Sequence, residues 1–215
     1  MRAKSWLLIG TLFLLFVALG FYIWASALTD SLFEFRSPLA DNPPKPKEPI
    51  SAPLTSRLVI IVVDALRQDT SLDLEVMPFL AELRQQGAWA AMHSIPPSYS
   101  APSWTTILTG AWPYINDGQA LNPPDYDSVR TFTQDDIFSA AERAGLKTGL
   151  AGHAWYEAML ANSGLDKASF ARAIDHNADL EILAHAKKWA DLGELQLILL
   201  HLDQVDYAGH YQGGP

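Results

Sequence analysis

Three polar clusters stand out in this chain: Asp64, Ser100, and the pair Asp206 and His210. A carboxylate and an imidazole four residues apart are a common reach for one metal ion. Asp206-Tyr-Ala-Gly-His210 has that spacing, with Gly209 expected to let the backbone bend and bring both side chains to one point. Asp64 closes a β-branched run, a position where an Asp taken alone is an ordinary turn or helix cap. Ser100 opens Ala101-Pro102-Ser103-Trp104-Thr-Thr-Ile-Leu-Thr-Gly110, which reads as a short helix with proline in its first turn and glycine at its stop. As N-cap, Ser100 would lie beside free backbone N–H groups and the positive end of the helix dipole, where a phosphate or sulfate is stabilised. Plain capping is the bland alternative. A hydroxyl becomes a good nucleophile only when its pKa is lowered, and with no base close by in sequence a metal is the expected activator. The chain has no cysteine, so any metal must be held by oxygen and nitrogen.

The remaining candidates are weaker. His201 and Asp203 lie just upstream of Asp206, but alternation along a strand end points them elsewhere, so both are secondary. His93, His153, His176 and His185 read as surface or core histidines, with His153 the one placed at the same sheet edge. Tyr99, Trp104 and Trp112 could stack on a base or head group, although aromatics near a helix more often belong to the core.

These clusters need strands to carry them. Leu58-Val-Ile-Ile-Val-Val63 is a continuous apolar run, the pattern of a strand covered on both faces. A helix follows from Pro78 to a stop at Gly87, then a strand is expected around Trp89 to His93. Thr133-Gln-Asp-Asp136 reads as a variant capping box for a helix carrying Ile137, Ala140, Ala141 and Ala144, with Gly145 as its stop. Leu146 to Gly152 is a short strand, about Ala178 to Ala190 a helix, and Leu195-Gln-Leu-Ile-Leu-Leu200 a second strong strand. The alternation predicts an α/β fold, a mostly parallel sheet with helices on both faces. Ligands in such sheets bind beyond the carboxyl ends of the strands, where all three clusters fall.

The first 56 of the 215 residues are unlike a core. Trp6 to Leu28 carries no charge, and its 23 residues make about 34 Å of helix at ~1.5 Å per residue, enough for a ~30 Å hydrocarbon core. Trp6 at one end with Tyr22 and Trp24 at the other resembles an aromatic belt. Arg2 and Lys4 predict a cytoplasmic N-terminus at residues 1–5, with the bulk of the chain outside. A cleaved signal peptide is the competing reading, since Ala25-Ser26-Ala27 suits a cleavage site. The apolar run, however, exceeds the ~7 to 15 residues of an h-region, so 6–28 is read as a single-pass transmembrane anchor. Residues 29–56 are expected to form a stiff, proline-rich stalk around Pro43-Pro44-Lys45-Pro46-Lys47, and 57–215 the catalytic unit. All 24 acids lie at or beyond Asp30, against 13 bases there, which disfavours nucleic-acid partners.

Val62-Val63-Asp64-Ala65-Leu66-Arg67 resembles the opening motif of the type I phosphodiesterase/nucleotide pyrophosphatase branch of the alkaline phosphatase superfamily, which includes the GPI ethanolamine-phosphate transferases. The segment from Ser100 to Gly110 resembles its nucleophile motif, with serine where the phosphodiesterases mostly carry threonine. His201-Leu-Asp-Gln-Val-Asp206-Tyr-Ala-Gly-His210 is similar to the next motif. The resemblance covers 57–215 and implies a phosphate-ester substrate, an alkaline phosphatase-like core and two divalent ions, zinc, roughly 3.5 to 4 Å apart. Asp64 and Ser100 would serve one ion, Asp206 and His210 the other, and Asn122 would match a phosphate-binding asparagine. A phospho-serine intermediate would be resolved by water or by an acceptor alcohol. The family completes its metal sites with an Asp-His pair and a further His beyond this motif, so the chain is expected to be the N-terminal part of a longer protein. Other readings are a phosphoethanolamine-type transferase, a sulfatase, whose signature Ser100-Ala-Pro-Ser-Trp104 departs from by placing Trp where Arg belongs, and a non-catalytic anchored module that has lost its metals.

Overall fold

The computed structural model describes residues 2–47, 54–173 and 175–213, with the side chains of Arg2, Ala3 and His176 outside that description. Four parallel strands form one sheet in the order β1-β4-β2-β3: β1 Leu58–Val63, β2 Thr148–His153, β3 Lys167–Ala171 and β4 Leu197–Leu202. The two strongest apolar runs pair directly, Leu58 opposite Leu197 through Val63 opposite Leu202. The helices before the second strand are α1 Arg2–Phe33, α2 Gln68–Leu72, α3 Pro78–Gln86, α4 Ser100–Thr109 and α5 Ile137–Arg143; after it come α6 Trp155–Met159, α7 His176–Leu192 and α8 Gln204–Gln212.

Alternation along β4 divides the core in two. Leu197 and Leu199 face one layer with Trp104, Leu108, Phe138 and Tyr156 from α4, α5 and α6. Ile198 and Leu200 face the other, against Ala178, Ile182, Ala186 and Trp189 of α7. Helices therefore flank both faces of the sheet, as the alternation of the sequence predicts. Close packing of this layer depends on Gly149, where an added Cβ would lie 2.5 Å from Leu195 Cδ1 and 3.1 Å from the Trp189 ring of α7.

Several local expectations change. β1 is an edge strand and is not covered on both faces: Val59 and Ile61 are 45% and 61% exposed, and neither α2 nor α3 buries a residue. Trp89 to His93 forms no strand; the segment is alanine-rich, poor in β-branched residues, and has no ladder to join. The cap of α5 is Asp136, whose Oδ1 accepts from Phe138 N and Ser139 N at 2.9 and 3.1 Å, whereas Thr133 donates to Asp117. β3 and α6 went unpredicted, because Lys-Ala-Ser-Phe-Ala and Trp-Tyr-Glu-Ala-Met are too short to show a period.

The apolar N-terminal run lies within one helix whose stretch Lys4–Phe33 is long and apolar enough to cross a membrane and buries nothing inside the protein. That helix continues five residues past Leu28, and Ser37 beyond it is buried. Residues 43–47 are exposed irregular chain, and 48–53, part of the expected stalk, lie outside the described residues.

Candidate active site

The carboxyl ends of β1 and β4 place Asp64 and His201 side by side, and the N-terminus of α4 brings Ser100 to them. The backbone turns sharply after Asp64: Ala65 adopts a φ of 53°, a left-handed conformation that a residue with a Cβ rarely takes. Asp64 Oδ1 accepts from the Ala65 amide at 2.9 Å, and Oδ2 accepts from the Ser100 hydroxyl at 2.9 Å. Ser100 is the first helical residue and Tyr99 the cap position, so its hydroxyl is bound to Asp64 and does not close the helix end. That task falls to Asn122, whose Oδ1 accepts from Ala101 N at 2.9 Å. Asn122 is thereby held beside Ser100 on the wall of the same cavity.

His201 is the residue that sequence reasoning undervalued. It is fully buried, its ring 4.4 Å from Trp104 and 5.4 Å from Tyr156, and neither ring nitrogen has a hydrogen-bond partner among the described residues. Nε2 lies 3.7 Å from Asp64 Oδ2, too long for a hydrogen bond. Asp203 joins them: one ligand atom each from Asp64, His201 and Asp203 falls within 4.8 Å of the others. Asp203 does not follow the alternation of β4, because the chain leaves the strand after Leu202 and turns into α8.

Asp206 and His210 sit on α8, and the helical i,i+4 spacing, without any bend at Gly209, brings them to 3.5 Å. Both line a cavity of about 450 Å³ with Ser100, Asn122, Asp203 and His153. Trp104 serves as core and cavity wall at once, while Tyr99 and Trp112 stay partly exposed. His93 lines a separate groove and His185 packs near Trp189, so neither joins this site.

The electrostatics suit a cation. Burial pushes the Asp203 carboxyl up to about 6, and the neighbouring Asp64, Asp206 and Asp179 carboxylates add to it against the opposing pull of His201. Burial and Asp64 likewise raise Asp206. Asp64 is also pushed up by burial, but the His201 ring, the Ser100 hydroxyl and the Ala65 amide outweigh this and hold it below the ordinary value. His153, buried at the cavity, falls to about 4, chiefly by desolvation and secondarily through His201.

Residues 58–215 match the type I phosphodiesterase/nucleotide pyrophosphatase family. The chain belongs to that family. Among curated members, GPI ethanolamine phosphate transferase 2, catalytic subunit, of Homo sapiens is 25% identical over 75% of this chain and 17% of its own length. GPI ethanolamine phosphate transferase 1 of Mus musculus is 31% identical over 54% of the chain and 13% of its own. The chain thus spans less than a fifth of the length of these two relatives. Among solved structures, phosphonoacetate hydrolase from Sinorhizobium meliloti 1021 superposes with a TM-score of 0.50 at 18% identity, covering 70% of this chain and 47% of that one. That superposition shows a shared fold, a parallel sheet flanked by helices.

Proposed function

We propose that this protein is a metal-dependent phosphoesterase that uses Ser100 as nucleophile. The observation that carries the reading is the Ser100 hydroxyl bonded to Asp64 in a cavity that also holds Asp206 and His210. The donor set fits divalent ions of the kind the family uses. The unpartnered nitrogens of buried His201 and the carboxylates crowded around Asp203 leave negative charge and lone pairs that a cation would satisfy. Asp64 and Ser100 would hold one ion and Asp206 and His210 the other, with His201 and Asp203 in reach of the first. The pair, zinc by the family resemblance, would lower the hydroxyl pKa and offset charge on the phosphoryl and leaving oxygens.

The chain's own residues supply the rest. By accepting the hydroxyl proton, Asp64 leaves an Oγ lone pair free for the cavity, and the start of α4 offers its positive end to the phosphoryl oxygens. Asn122, fixed by the Ala101 amide, has no partner for its own amide group among the described residues and can donate to the substrate phosphate. Attack by Oγ on phosphorus forms the Ser100 ester and breaks the bond to the leaving alcohol. A second attack, by water or an acceptor hydroxyl, restores the serine. The names of the curated relatives favour the acceptor route, transfer of a phosphoethanolamine-type group; product analysis with and without an acceptor alcohol separates the two. The positive charge of Arg2 and Lys4 supports an N-terminus in the cytoplasm with the catalytic unit outside.

Full-length protein assayed on bis-p-nitrophenyl phosphate should lose activity on chelation and regain it with zinc. The Ser100→Ala variant should fall by at least a thousandfold, a loss of about 4 kcal/mol of transition-state stabilisation. Unchanged activity of that variant would defeat the nucleophile assignment.

A further inference from the structure

The end of α1 is bonded into the catalytic domain. The Asp117 side chain, with no exposed surface, accepts from Arg36 Nε at 2.9 Å, Arg36 Nη2 at 2.7 Å, the Ser37 amide at 2.8 Å and Thr133 Oγ1 at 3.1 Å. Ser37 Oγ donates to Ile115 O at 2.6 Å. Arg130 reaches back to the end of the helix and the chain just past it, donating to Phe33 O at 3.0 Å and Phe35 O at 2.8 Å, and also to Asp117 O at 3.1 Å. Helix-end carbonyls lack partners within the helix, and a cation from the domain takes that place here. Asp117 holds this position with a φ of 58°, a conformation sustained only where surrounding contacts over-determine it.

The same segment is fixed to the site. Asn116 Nδ2 donates to Ala111 O at 2.9 Å and its Oδ1 accepts from Gly118 N at 2.8 Å. Gly118 lies so close to α4 that a Cβ would sit 2.8 Å from the Thr105 side chain. From Thr105 to Ser100 is about 8 Å of helix, and from Leu28 to Phe33 about the same, at ~1.5 Å per residue. A headgroup layer extends roughly 5 to 8 Å beyond the hydrocarbon.

We propose that Asp117, Arg130, Arg36 and Ser37 form a latch that seats the catalytic domain directly on the outer face of the membrane. The cavity is then fixed at a set height above the bilayer, and this inference does not depend on the phosphoesterase reading.

The 215 residues contain no cysteine, and any cysteine elsewhere in the full-length protein is first changed to serine, so that one introduced label site is unique. Full-length protein carrying Ser128→Cys, labelled with a donor dye and placed in phosphatidylcholine nanodiscs with acceptor-labelled headgroups, should show efficient energy transfer. Arg36→Ala with Arg130→Ala should lower that efficiency at least twofold while near-ultraviolet circular dichroism keeps its folded signature. Weak transfer in the parent, equal transfer in both, or loss of the folded signature in milder Arg36→Lys would overturn the latch.

Discussion

Asp64 has two hydrogen-bonded neighbours and one neighbour that is not bonded, and the difference organises the site. Ser100 and Ala65 satisfy the carboxylate, while His201 stands 3.7 Å off with nothing to bond. Asp64, Ser100, Asp206 and His210 could be read from spacing and strand ends, because those signals are local. His201 could not: its importance lies in burial without a partner, which only the packing of Trp104 and Tyr156 around it reveals. Asp203 gives a pH test. Its carboxyl titrates near 6 in the fold against ~3.9 unfolded, so the folded state binds that proton more tightly. The stabilisation is complete below about pH 4 and lost as pH rises through 6, amounting to at most about 3 kcal/mol. In chelator, Tm of the parent should decline from pH 4 to 7 more steeply than that of Asp203→Asn. Parallel slopes would show that burial leaves this carboxyl unperturbed.

Among the elements, α4 bears the heaviest duty, since its first residue is the proposed nucleophile and its body is core. Proline near its start and Gly110 at its stop, with a φ of 70°, made it legible in the sequence. α5 was legible as a helix but not in its cap. Asp136 accepts from two amides and from the Ser139 and Ser163 hydroxyls at 2.8 and 2.7 Å, the last being a contact 27 residues away that no local pattern contains. Asp136→Ala should therefore cost about 2 to 3 kcal/mol in urea unfolding, at the upper end for a cap because buried donors lose their acceptor. A loss under ~0.5 kcal/mol would mean that water replaces the carboxylate. The missed β3 and the absent strand at Trp89 to His93 have one cause: both segments are short and weakly patterned, and pairing partners decide them.

At the scale of the whole molecule, two features govern behaviour. The apolar surface of α1 is exposed along its length, with Trp6 at 73% and Trp24 at 63%, and the helix is long and apolar enough to cross a bilayer. The protein should remain in the membrane pellet after an alkaline carbonate wash; release into the supernatant would favour the cleaved-signal alternative. The second feature is the two-layer core, foreseen from the alternation of apolar runs and helices. The docking of residues 33–37 was invisible in sequence, since Arg36 lies 81 residues from Asp117 and Phe35 lies 95 residues from Arg130, with no recognisable motif joining them.

The central claim is that Ser100 attacks phosphorus. Acid-quenched full-length protein, mixed with excess bis-p-nitrophenyl phosphate and zinc, digested and analysed by mass spectrometry, should carry a nitrophenyl-phosphoryl or phosphoryl adduct on Ser100, absent after chelation and from Ser100→Ala. An adduct on another residue, or rapid turnover by Ser100→Ala, would contradict it.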